Sequence, residues 1–243
     1  MPSCSTPATR CERGPRVRRF PQPMPYRWAT CRRSPGCIAV AEQADALGPF
    51  DAVIHCRHRV SRATPDRDGR RALSLWAVNV LVPYVLTALM IRPRRLVYLS
   101  SGLHRGGGAD MRDVQWARRR WDGTQAYSDT KLHNVLLALG VARRWPDVLS
   151  NALEPGWVPT RMGGAGVTND LSQGHVTQAW LSASDDPDAT VSGGYFYHRR
   201  PARLHPPRPG QTFSSSYSII AAKFLALRLD DGLSAGAYRE AAV

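Results

Sequence analysis

The sequence predicts an α/β fold, a parallel sheet covered by helices on both faces, and two observations carry that expectation. Short apolar runs read as buried strands and alternate with longer segments of helical spacing. The polar residues suited to chemistry cluster just after those runs, where open α/β sheets bind their ligands. A chain of 243 residues, 43% hydrophobic, suffices for one such domain.

Residues 1–37 show neither strand nor helical period, and seven prolines interrupt any element. From Ile38 the pattern changes. Ala39–Leu47 reads as a helix, Gly48-Pro49 as a breaker, and Phe50–His55 as a buried strand. Residues 56–71 are polar and Arg-rich. Leu73–Met90 reads as a long helix and Arg95–Ser101 as a strand ending in two serines. Residues 102–125 form a glycine-rich, then charged, connection. Ala126–Arg144 carries Leu132, Val135, Leu136 and Leu139 at helical spacing. Val148–Leu153 is the next strand, followed by the loop 154–164. A helix is expected over about Leu171–Ser184 and a last strand over Thr190–His198. The domain thus runs over 38–200. Residues 201–243 form a tail with a Pro-rich start and an apolar stretch, Ile219–Leu229, suited to one helix.

The formal charge of +14 suggests nucleic acid until the basic residues are located. Only Lys131 and Lys223 are lysines; eight arginines and a single acid, Glu12, fall in residues 1–37. A nucleic-acid surface mixes Lys with Arg along one face or interleaves aromatics for stacking, and neither pattern occurs. The five cysteines (Cys4, Cys11, Cys31, Cys37 and Cys56) match no zinc spacing, and an odd count argues against a disulfide framework. The opening lacks the apolar core of a secretory leader. The longest apolar run, Trp76–Ile91, is too short to span a bilayer and contains Asn79 and Pro83. The expected location is cytoplasmic, with no membrane, nucleic-acid or metal partner.

Tyr127 and Lys131 form Y-x-x-x-K on a predicted helix, so phenol and ammonium share one face. A phenol titrates near pH 10, and a neighbouring cation favours its ionised form. Ser101 ends the preceding strand. Upstream, Asn79 sits in an otherwise apolar helix, L-W-A-V-N-V-L-V-P-Y, where a buried amide needs a partner. Downstream, a strand runs into E-P-G-W-V-P-T.

With these four motifs in this order, the stretch from about Phe50 to His198 resembles the short-chain dehydrogenase/reductase family, closest to its retinol-dehydrogenase-like branch. The resemblance implies a Rossmann-type doubly wound parallel sheet, N-terminally incomplete in this chain. It also implies NAD or NADP as cofactor, a small alcohol or carbonyl as substrate, and assembly into homo-oligomers. Tyr127 would be the general acid/base. Lys131 would lower its pKa and bind the nicotinamide ribose. Ser101 would hydrogen-bond the substrate oxygen, and Asn79 would hold a water that serves Lys131. Pro155, Gly156 and Val158 resemble the segment closing over the nicotinamide, and Thr160 would approach a phosphate. His104, Arg105 and Trp116–Trp121 are read as a solvated loop, and His133 as structural. Two other readings remain: an inactive member serving as a partner subunit, and a basic nucleic-acid-binding protein.

The family's T-G-x-x-x-G-x-G turn, which brings a helix N-terminus to the pyrophosphate, does not occur. Cys56-Arg57-His58 stands where the family has N-A-G. Out-of-frame translation accounts for both. A coding of V-G-D-L-S-S-L-A-G read one nucleotide late gives W-A-T-C-R-R-S-P, which is Trp28–Pro35. The same offset turns a coding of V-V-L-H-A-R-N-E-V-R-A-R-A-A-R into Ser3–Arg16, and a coding of N-A-G-I-G read two nucleotides late gives Cys56–Val60. The expectation is impaired cofactor binding beside an intact catalytic set.

Overall fold

The computed structural model describes residues 34–56, 75–114, 116–159 and 170–204. Four parallel strands lie in space in their chain order: β1 (Ala52–His55), β2 (Arg95–Leu99), β3 (Leu149–Glu154) and β4 (Tyr195–Tyr197). β5 (Arg200–Pro201) adds an antiparallel edge through a two-residue turn. His198 and Arg199 occupy that turn with φ of 47° and 61°. Such left-handed pairs match the twist of a tight hairpin.

Both faces of the sheet are covered, as residues alternate along the strands. Leu96 and Tyr98 of β2, with Ala152 and Tyr195, join a core supplied by three helices. These are α1 (Ser34–Asp45), α2 (Val82–Leu89) and α3 (Gly123–Arg144). Val97 and Leu99, with Leu153 and Phe196, face the other way and meet Leu181 of α4 (Val176–Ala183). At roughly 2 kcal/mol per fully buried large apolar side chain, both layers contribute heavily to the fold.

Several elements depart from the sequence expectation for local reasons. α1 begins at Ser34, inside the stretch read as irregular, and Cys37 is 3% exposed within the main core. A π-helical turn, Ala77–Leu81, precedes α2 and falls directly before Pro83, which cannot donate to a helix ladder. α3 starts three residues earlier than its apolar pattern, because the Asp122 carboxylate accepts from the amides of Thr124 and Gln125 at 2.9 and 3.1 Å. The helix expected over 171–184 is split into a 3-10 turn, Leu171–Gln173, and α4, with Gly174 between them. The last strand is short because Gly193, at φ 80°, bends the chain just before it. The tail beyond residue 204 and most of residues 1–37 lie outside the described residues.

Candidate active site

β2 and β3 run in the same direction with Leu99 opposite Leu153, so the loops that follow them leave from one edge. Ser101 is the second residue beyond β2, after Ser100. It is extended, at φ −160°, and its hydroxyl accepts from the Leu103 amide at 3.3 Å, which starts a 3-10 turn over Gly102–Gly106. Tyr127 sits near the start of α3 and is 8% exposed. Its phenol faces the Ser101 hydroxyl closely enough for that hydroxyl to favour the ionised phenol. One helical turn on, Lys131 is wholly buried. Its Nζ donates to the Leu99 carbonyl at 2.9 Å and lies 5.4 Å from the centre of the Tyr127 ring. The three predicted groups therefore lie close together at the carboxyl edge of the sheet.

The electrostatics differ from the expectation in one respect. Burial pushes the Tyr127 phenol up to about 12, and the group that draws it down is the Ser101 hydroxyl, not Lys131. The reason is physical. Lys131 is itself desolvated, which holds its pKa well below the usual lysine value, with the nearby Cys56 thiol acting in the opposite sense. Its ammonium also spends a bond on Leu99 rather than on the phenol oxygen.

Asn79 lies in the π-helical turn, fully buried, and its Nδ2 donates to Thr130 Oγ1 at 3.0 Å. Thr130 precedes Lys131, so this bond ties the Asn79 turn to the helix bearing Tyr127 and Lys131. Ser100 adds a second tie by donating to the Lys131 carbonyl at 2.8 Å. Pro155, Gly156 and Val158 follow β3 as expected. Gly156 is needed there, with φ of 82°. Val158 turns toward Gly174, where an added Cβ would come within 2.9 Å of its Cγ1. Thr160 lies outside the described residues.

The 102–125 connection is only in part a solvated loop: Arg105 and residues 117–120 are exposed, while His104 and the two tryptophans pack inward. Trp116 and Trp121 meet edge-on at 5.3 Å and pack against Leu75, Ala126 and Tyr127. His104 is 2% exposed. Asp129 organises the segment: its carboxylate accepts from Gly108 N and Gln125 Nε2, each at 2.7 Å, and from Arg119 at 3.2 Å. Asp129 follows Tyr127 by two residues, and sequence reasoning passed over it; a carboxylate inside an apolar helical stretch was the available signal. His133 is buried and held down to about 4 by desolvation, beside a small cavity lined also by Trp76, Asp110 and Arg119. His55, likewise near 4 through burial, stacks on Tyr98 at 4.9 Å within the core.

The glycine spacing G-x-x-x-G-x-G does occur, at Gly102, Gly106 and Gly108, but after β2. There it forms the 3-10 turn and not a helix N-terminus. The Glu154 carboxylate lies directly against Gly102, where an added Cβ would stand 2.5 Å from its Oε2. That carboxylate, paired with Arg105 at 2.9 Å, fills the space a ligand would need at the turn.

No family model matches the chain. An uncharacterized oxidoreductase of Emericella nidulans is 36% identical over 173 residues, covering 69% of this chain and 65% of the relative. The short-chain dehydrogenase chyC of Penicillium rubens is 35% identical over 165 residues, covering 66% and 63%. The chain thus spans just under two thirds of the length of these relatives. Among solved structures, an NADPH-bound carbonyl reductase from chicken fatty liver superposes with a TM-score of 0.52 at 15% identity, covering 72% of this chain and 74% of that one, which speaks to the fold alone. Over the stretch shared with its curated relatives, the chain belongs to the short-chain dehydrogenase/reductase family.

Proposed function

We propose that the chain is an oxidoreductase moving hydride between NAD or NADP and a small alcohol or carbonyl, with Ser101, Tyr127 and Lys131 as its working groups. The observation that carries this reading is that the Ser101 hydroxyl and the Tyr127 phenol lie side by side, one turn from a buried lysine at the sheet's carboxyl edge.

The donor set fits one end of a nicotinamide dinucleotide. Lys131 offers donors suited to ribose hydroxyls, and the Pro155–Val158 segment borders the same edge of the sheet. The described residues offer no glycine-rich turn opening a helix for the pyrophosphate, and Gly102 is already met by a carboxylate. When bound, the nicotinamide supplies hydride to the substrate carbon or accepts it. The protein's own part is proton handling and charge stabilisation. Tyr127, protonated at neutral pH because its phenol lies near 12, gives its proton to the substrate oxygen as negative charge grows there. Ser101 donates to the same oxygen, so two preorganised donors meet the developing alkoxide. Trp116 and Trp121, packed around Tyr127, keep water from one flank of the phenol.

The test is reduction of a panel of aldehydes and ketones with NADH and with NADPH. Turnover by the wild type that falls at least about a hundredfold in Tyr127→Phe and Ser101→Ala supports the reading. Turnover unchanged in Tyr127→Phe overturns it. The missing turn motif carries a second expectation: dissociation constants for both dinucleotides weaker than micromolar. A micromolar affinity measured by calorimetry contradicts that part of the reading.

A further inference from the structure

Behind Ser101 lies a buried polar chain that the proton chemistry does not use. The His104 Nδ1 is 2.7 Å from the Ser101 carbonyl and 3.2 Å from the Tyr195 hydroxyl, with the two rings 4.7 Å apart. A contact of 2.7 Å to a carbonyl requires that Nδ1 carry the proton, since a carbonyl only accepts. The Tyr195 hydroxyl can therefore only receive from His104, and the Glu154 carboxylate close to it favours the protonated phenol. Glu154 is in turn paired with Arg105 at 2.9 Å. The third neighbour of the Tyr195 hydroxyl is Ser100, whose own proton goes to the Lys131 carbonyl at 2.8 Å.

His104, Tyr195 and Glu154 are 2%, 3% and 7% exposed. Polar groups so deeply placed are costly unless satisfied, and satisfied they rigidify what they touch. This chain touches both sides of the site. Through His104 it holds the Ser101 backbone, and through Ser100 it reaches the helix bearing Tyr127 and Lys131. It is anchored on β4, the strand beyond β3, so its geometry is set by the sheet.

We infer that His104, Tyr195 and Glu154 are positioning residues that hold Ser101 beside Tyr127. The inference rests on the oxidoreductase reading only for its kinetic consequence. The Ser101 carbonyl accepts from the His104 amide at 2.9 Å within the 3-10 turn, and the His104 ring adds a second donor to it at 2.7 Å, which fixes the peptide more tightly at the strand end. Misplacing one of two oxyanion donors costs catalysis without removing the substrate's other contacts.

The experiment labels tyrosine at 13Cζ and assigns the Tyr127 resonance by its loss in Tyr127→Phe. At neutral pH that resonance reports the phenol's polar surroundings and needs no turnover. The Ser101→Ala protein gives the shift expected when the Ser101 hydroxyl is lost. In His104→Ala the resonance should move at least halfway to that position, and His104→Asn, whose amide can donate from nearly the same place, should restore it. Tyr195→Phe keeps the ring, loses the hydroxyl, and should move the resonance in the same direction; it carries the test if His104→Ala fails to fold. In the kinetic arm, kcat of His104→Ala should fall about tenfold with KM within about twofold of wild type. A folded variant whose Tyr127 resonance coincides with wild type overturns the inference. A wild type without turnover overturns the oxidoreductase reading and leaves the resonance to decide the positioning.

Discussion

Desolvation of Tyr127 makes a directional prediction. With the phenol near 12, about one molecule in ten thousand carries phenolate at pH 8, whereas an ordinary phenol near 10 would give about one in a hundred. Alcohol oxidation needs a base, and carbonyl reduction needs an acid. Reduction should therefore be independent of Tyr127 ionisation through the neutral range. Oxidation should climb about tenfold per pH unit from pH 8 to pH 11 without reaching a plateau. The profile of kcat/KM is the right readout, because it reports groups in the free enzyme. Ser101→Ala removes the group that, among the described residues, lowers the phenol. It should displace the rising limb further to alkaline pH, in addition to the loss of an oxyanion donor worth roughly 3 kcal/mol. Following nicotinamide absorbance in both directions, with wild type and variant, supplies all four curves. An oxidation profile that levels off with a midpoint below pH 10 would refute the argument, because it would place the cation's influence above that of burial.

Two further outcomes follow from the buried polar groups. Asp129→Ala strands the Gly108 amide, held at 2.7 Å, and removes one of the two acceptors of the Gln125 amide, and should cost about 2–4 kcal/mol in urea unfolding, with Asp129→Asn less severe; a loss under about 1 kcal/mol would contradict its role as the organiser of the 102–122 segment. His55 and His133 are neutral when folded, with values near 4 against an ordinary 6.5, so the unfolded chain takes up their protons as pH falls through that window. Stability should drop between about pH 6.5 and pH 4 by on the order of 3 kcal/mol per histidine, and His55→Phe or His133→Leu should flatten that slope; denaturation midpoints equal at pH 7 and pH 4.5 would count against it.

Much of the site was legible because its residues stand where chain order and strand polarity put them. Ser101 ends an apolar strand, Tyr127 and Lys131 are one helical turn apart, and parallel strands bring both to one edge; each fact is local. The strands of the core were legible for the same reason, their apolar runs being short and bounded by turn residues. What was not legible depended on contacts distant in sequence. Whether Lys131 or burial governs Tyr127 is decided by how far both groups are taken out of water, and no spacing encodes that. His104 reads as a loop histidine until Tyr195, which is 91 residues away, is seen beside it. Trp116 and Trp121 read as charged-loop residues because arginines surround them in sequence. In space Arg119 stacks on Trp116 at 3.9 Å, and the rings turn inward. The glycines at 102, 106 and 108 show the converse: a spacing suited to phosphate, placed where a carboxylate occupies the turn.

The most direct test follows the hydride itself. C4-deuterated NADPH and NADH, incubated with a reducible ketone or aldehyde and this chain, should yield alcohol bearing deuterium at the former carbonyl carbon, as read by mass spectrometry, with none above background in Tyr127→Phe. Unlabelled product from the wild type, or equal label from the two proteins, would mean that the site shared by Ser101, Tyr127 and Lys131 is not where the chemistry occurs.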